Sequence, residues 1–174
     1  METEKQFIPK PEKPPVLFHA SRNAEISVFE PRAEKTRDRN EGPRVFATPS
    51  RAMASIFIVD SDDSWVQSGA RDGLPYIVIS DEERFRKLDL GGVVYSLPND
   101  TFENDPEKGL RELEWTSTVA VIPSDKEIVP SALEDMLRHG VKVYFVDKET
   151  YQRIRDSKDH DGSILNDLKP YTGE

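Results

Sequence analysis

The apolar residues of this chain come in short runs, and most runs are closed by Pro, Gly or Asp. Tyr76-Ile-Val-Ile79 lies between Pro75 and Asp81, and Val93-Val-Tyr-Ser-Leu97 between Gly91-Gly92 and Pro98. Proline lacks an N–H and fixes φ, so runs bounded this way do not grow into long helices. They have the length of buried strands. Further strands are predicted at Val16-Leu-Phe-His-Ala20, at Arg44-Val-Phe-Ala-Thr48, from Trp115 to Ile122 and from Val141 to Val146.

Helix signals sit between them. Pro49-Ser50 opens a helix whose Ala52, Ile56 and Val59 share one face, with a stop near Asp60-Ser-Asp-Asp63. Ser131-Ala-Leu-Glu134 is a capping box, with Gly140 as the stop of that helix. Asp147 caps a last helix through about Ile154. Asn99 to Gly109 and Glu34 to Gly42 read as polar loops. Strands and helices do not alternate regularly, so the predicted class is α+β rather than doubly wound α/β.

A chain of 174 residues is sized for one domain. Pro9-Lys-Pro-Glu-Lys-Pro-Pro15 makes residues 1–15 an extended arm. The domain is predicted over 16–155, and 156–174 reads as a loose tail. The 24 Lys and Arg against 33 Asp and Glu leave a formal charge of −9. That balance argues against nucleic acid and against an anionic membrane surface as partners. No apolar run reaches the roughly 18 residues of a spanning helix, and the N-terminus has no apolar signal region. With no cysteine there are no disulfides, thiolate zinc sites or thiol catalysis. The expectation is a cytoplasmic protein.

Several site chemistries fail on spacing. The loop Asp60-Ser-Asp-Asp-Ser64 suggests calcium, but an EF-hand loop needs Gly at position 6 and Glu at position 12. Counting from Asp60, Trp65 and Arg71 stand there. There is no G-x-S-x-G nucleophile elbow and no G-x-x-x-x-G-K-[ST] phosphate loop. Three histidines, His19, His139 and His160, do not suggest a multi-histidine metal site. No metal is predicted.

Three segments remain, in this order: Phe18-His19-Ala20-Ser21, then Val45-Phe46-Ala47-Thr48 followed by Ala52 and Ala54, then Glu112-Leu-Glu114-Trp115-Thr116. Together they resemble the ADP-ribosyltransferase-like fold. The nearest branch is the His–Tyr–Glu one, with diphtheria-type toxins, poly(ADP-ribose) polymerases and tRNA 2′-phosphotransferases. In that branch a first strand carries aromatic-His-Gly-Ser/Thr, a later strand and helix carry a Tyr-Phe-Ala-like pattern with small residues, and a Glu opens a late strand. Glu112 and Glu114 also have the E-x-E spacing of arginine-modifying members. The likeness spans roughly Val16 to Val146. The chain is similar as well to a group of small bacterial- or phage-type proteins with an aromatic-His start, Val-Phe-Ala-Thr, Tyr-x-Leu (here Tyr95 to Leu97) and Glu-Trp-x-Ser.

The resemblance implies split, mostly antiparallel sheets with a few short helices, and NAD as a substrate. ADP-ribosyl transfer breaks a C–N glycosidic bond as positive charge grows on the ribose, and a nearby carboxylate stabilises that charge. This role falls to Glu114, and His19 would hydrogen-bond a ribose hydroxyl. Ala20 and Ser21 would grip the nicotinamide side, with Phe46, Thr48, Phe57 and Tyr95 completing the nucleotide site. The acceptor would be a protein or a small molecule, or water in NAD hydrolysis. Two departures stand out: Ala20 replaces the family glycine, and the stacking Tyr expected after Phe46 is missing, with Phe57, Tyr76 or Tyr95 as substitutes.

Without the resemblance the same residues have plainer readings. His19 is a satisfied histidine in an apolar strand, Glu114 an exposed strand opener, and Phe46, Phe57 and Trp115 core. Arg32, Arg37, Arg39 and Arg44 would suit a pyrophosphate, but Glu34, Asp38 and Glu41 interleave with them as in a solvated loop. A non-catalytic nucleotide- or protein-binding module on the same scaffold is the alternative function. A 2′-phosphotransferase acting on RNA is a second alternative.

Overall fold

A computed structural model of the chain describes residues 7–33, 40–157 and 163–174. In chain order the elements are β1 (Val16–Ser21), β2 (Val45–Ala47), α1 (Arg51–Ile56), β3 (Val66–Arg71), β4 (Leu74–Ile79), α2 (Glu82–Leu88), β5 (Gly92–Pro98) and β6 (Phe102–Asn104). A 3-10 turn (Arg111–Leu113), β7 (Trp115–Ser117), β8 (Asp125–Val129), α3 (Ala132–Arg138), β9 (Lys142–Phe145), α4 (Lys148–Asp156) and α5 (Ser163–Asn166) follow. The fold is α+β, with mostly antiparallel sheets and short helices.

The chain divides into two compact units, each built from three separate segments. Unit one comprises Met1–His19, Ile26–Ser50 and Tyr95–Asp125; unit two comprises Ala20–Glu25, Arg51–Val94 and Lys126–Glu174.

Unit one holds the sheet β2-β7-β6, antiparallel throughout, with Phe46 opposite Thr116 and Phe102 opposite Ser117. Leu17, Phe29, Val45, Tyr95, Leu97, Phe102 and Trp115 are buried in it. The strand predicted from Trp115 to Ile122 stops at Ser117. There the Ser117 hydroxyl donates to the Val119 carbonyl (2.9 Å) and accepts from the Val119 N–H (3.3 Å), turning the chain. Val121 pairs afterwards with Phe29. The loop predicted at 99–109 contains β6, whose Phe102 and Asn104 are buried.

Unit two holds the sheet β3-β4-β9. Strands β3 and β4 form a hairpin closed by Asp72-Gly73, both at positive φ (50° and 78°), with Arg71 opposite Leu74. Strand β4 pairs parallel with β9, from Tyr76–Lys142 to Ile79–Phe145. Tyr76, Val78, Tyr144, Tyr151, Ile154 and Leu165 pack as one cluster. The tail expected to be loose contributes Leu165 to that cluster, and the Tyr171 N–H donates to the Val143 carbonyl at 2.7 Å. Residues 158–162, with His160, lie outside the described residues.

The caps read at Ser131 and Asp147 are present. Ser131 accepts from the Glu134 N–H, and Asp147 accepts from the Thr150 N–H. Helix α1 is shorter than predicted: after Ile56, i→i+3 bonds from Phe57 and Ile58 tighten the chain out of the α-helix. Among the described residues no helix is long and apolar enough to cross a membrane.

Candidate functional site

Backbone pairing in unit one sets Phe18-His19, the Val45–Thr48 segment and the Glu112–Thr116 segment on neighbouring strands. Phe18 on β1 and Thr48 after β2 exchange two backbone hydrogen bonds, of 2.8 and 2.9 Å. Strand β2 pairs in turn with β7, Ala47 opposite Trp115. Segments distant in sequence therefore follow one another across neighbouring strands.

His19 is half-buried, and its Nδ1 lies 2.6 Å from the Phe46 carbonyl oxygen. A carbonyl only accepts, so Nδ1 carries the proton and Nε2 is the acceptor atom of the neutral ring. The ring also lies 4.7 Å from the Phe29 ring, tilted by 56°. A bond and a ring contact thus fix the imidazole plane.

Glu114 is half-buried at the junction of the 3-10 turn and β7. Its backbone is extended (φ −129°, ψ 116°), and its N–H donates to the Arg111 carbonyl at 3.1 Å. Asn104 Nδ2 donates to the Glu114 carbonyl (3.0 Å) and to the Arg111 carbonyl (2.8 Å). The Trp115 indole N–H donates to the Glu112 carbonyl at 3.1 Å. The E-x-E pair is carried by a turn braced at both ends.

The remaining predicted residues take different places. Phe46 is half-buried and supplies the carbonyl that holds His19. Thr48 is buried, and its hydroxyl accepts from the Ser50 N–H at 3.1 Å. Tyr95 is 1% exposed. Its hydroxyl accepts from the Ile26 N–H at 3.1 Å and its ring meets Phe29 edge-on at 5.1 Å. It serves the core and offers no solvent-facing surface for stacking. Ala20, Ser21 and Phe57 belong to unit two. There the Ser21 hydroxyl accepts from the Asn23 N–H at 3.1 Å, and Phe57 is 47% exposed. Of the arginine group, Arg44 donates to the Glu41 carbonyl (3.3 Å) and to the Thr116 hydroxyl (3.4 Å). Arg37 and Arg39 lie outside the described residues.

Sequence reasoning missed a polar knot in unit two. The Arg51 guanidinium bonds Asp135 at 2.8 and 3.1 Å and Glu127 at 3.1 Å. The Ser55 hydroxyl donates to Asp135, and His139 Nε2 lies 3.5 Å from it. Burial alone pushes the Asp135 carboxyl up. Arg51, Ser55 and the nearby His139 outweigh that and hold it below the usual carboxylate range. Burial likewise pulls Arg51 down, while Asp135 and Glu127 hold it above its ordinary value. Ligand atoms of Glu127, Asp135 and His139 lie within 4.8 Å of one another, spacing that a metal ion could use. The positive charge between the two carboxylates is already supplied by Arg51. No spacing signal links positions 84 residues apart, so the knot has no local signature.

The loop Asp60-Ser64 is likewise occupied by its own chain. Asp62 accepts from both the N–H and the hydroxyl of Ser64. The Asp63 carbonyl accepts from the Tyr151 hydroxyl at 2.7 Å and from Arg155. No protein-family model, curated protein or solved structure matches the chain.

Proposed function

We propose that the chain is an NAD-consuming protein of ADP-ribosyltransferase type, moving ADP-ribose to a protein or small-molecule acceptor, or to water. The observation that carries this reading is the placement of Phe18-His19, Val45–Thr48 and Glu112–Thr116 on neighbouring strands of unit one, with His19 locked onto the β2 backbone. In the reaction the bond between ribose C1′ and the nicotinamide nitrogen breaks, and its electron pair stays on nicotinamide. The acceptor forms a bond to C1′ and loses a proton. Glu114 stabilises the positive charge that grows on the ribose and holds its 2′-hydroxyl. His19, through Nε2, accepts from a hydroxyl of the adenosine ribose and orients the dinucleotide. No step needs a metal.

The test is NAD binding and consumption by wild type beside Glu114→Gln. We expect turnover to fall by about 10²–10³-fold in the variant, with binding retained. Equal rates in the two proteins would reject the role of Glu114. Absence of both binding and turnover in wild type would reject the reading as a whole.

A second reading, a non-catalytic nucleotide- or protein-binding module, draws on Ala20 in place of glycine and on the burial of Tyr95, which removes a stacking candidate. Binding of NAD without consumption is its signature. The RNA 2′-phosphotransferase reading is weaker, because a charge of −9 opposes RNA.

A further inference from the structure

We infer that Asn104 is a positioning residue for Glu114, holding the carboxylate's anchor point through the backbone of the Arg111–Leu113 turn. The inference rests on the role proposed above for Glu114.

Asn104 lies on β6 directly opposite Trp115, the residue after Glu114. It is 7% exposed. Both of its bonds go to carbonyls, those of Arg111 and Glu114, which bracket the turn. The amide cannot be flipped, since Oδ1 would then face two acceptors. Oδ1 itself is buried and has no hydrogen-bond partner among the described residues. An unpaired buried acceptor is unfavourable, so what the amide contributes at this position is its donation through Nδ2.

The turn that it holds is strained. Arg111 has φ +57°, a left-handed conformation that a non-glycine residue rarely adopts. The Arg111 carbonyl accepts from both Asn104 and the Glu114 N–H. Conformations of this kind persist where the surroundings over-determine them, and they cluster at functional sites. Without the clamp the turn can relax, and a carboxylate displaced by about 1 Å loses on the order of 10²-fold in rate.

The test uses Asn104→Leu, near-isosteric, which removes the two donations and breaks no bond at Oδ1. Thr101→Val is the control: it removes a 2.8 Å bond to Ser117 in the same unit without touching the turn. We expect kcat for NAD to fall about 10–100-fold in Asn104→Leu with KM held, and both parameters to hold in Thr101→Val. An equal loss in the two variants, or none in Asn104→Leu, overturns the inference. The chemical shift of the Glu114 side-chain carboxyl, recorded without NAD at one fixed pH, supplies a readout that needs no turnover. It should shift in Asn104→Leu and not in Thr101→Val. If wild type consumes no NAD, the proposed function fails on its own, and an unmoved Glu114 resonance overturns the positioning role separately. Should Asn104→Leu not fold, hydrogen exchange of the Asn104 side-chain amide in wild type decides. Protection matching the β6–β7 ladder supports the clamp, and rapid exchange overturns it.

Discussion

A guanidinium held between two carboxylates governs the energetics around α1 and α3. Asp135 is 2% exposed and depends on Arg51 for its charge partner. Removing one member of a buried pair leaves an uncompensated charge and costs about 3–5 kcal/mol. We therefore expect Arg51→Met to be severely destabilising in urea denaturation. Arg51→Met combined with Asp135→Leu should recover much of the loss, because no charge is then left buried alone. A double variant as unstable as the sum of its parts would show that the knot acts through packing. Residue identities were legible in the sequence where the partner is local, as with Ser131 and Asp147, whose caps span three residues. They were not legible where the partner is remote, as for Arg51. Tyr95 illustrates a further limit: its type suits stacking, but only the fold reveals that its ring is enclosed and its hydroxyl already used.

Strands show which signals carried the element assignments. Hydrophobic runs were found at β1, β2, β4, β5 and β9; the last four bury successive or alternating apolar residues, and β1 buries Leu17. Strand β3 was missed because Gln67, Ser68, Gly69 and Ala70 give no apolar pattern, although Asp72-Gly73 is the strongest short hairpin signal. Strand β8 was missed for the same reason, with four of its five residues exposed. Helix α3 was found through Ser131, yet its better cap comes from outside it. The Asp89 carboxylate accepts from the Ser131 hydroxyl (3.1 Å) and from the N–H groups of Ala132 (2.7 Å), Leu133 (3.0 Å) and Gly91 (3.2 Å). Ser131→Ala should cost about 1 kcal/mol, the usual value for a lost cap. Asp89→Ala should cost about 2 kcal/mol, since it strips several donors at the helix start at once. Thermal denaturation of the two variants checks the ranking, and a milder Asp89→Ala would contradict it.

At the scale of the whole molecule, acid is the condition most informative about stability. The folded Asp135 carboxyl titrates below its unfolded value, which is about 4. Its contribution is therefore complete above that value and is lost as pH falls through the lower folded one. We expect stability to drop as pH falls below about 4, and Asp135→Asn to drop less steeply there while starting from a lower plateau at neutral pH. Parallel curves for the two proteins would place the acid sensitivity elsewhere. The class of the fold was legible from the spacing of runs and breakers. The division into two units was not, because composition changes little where the chain passes from one unit to the other.

The interleaving of segments has a consequence for biosynthesis. Unit one needs residues up to Asp125, and unit two opens with Ala20–Glu25 but requires segments beginning at Lys126. A nascent chain paused at Val94 has therefore exposed most of its β-forming sequence while neither unit is complete. The usual order of vectorial synthesis, an N-terminal domain finished before the next begins, is closed to this topology: the β3–β4 hairpin can close early, but β2 must wait for its partner β7 until the late segments emerge.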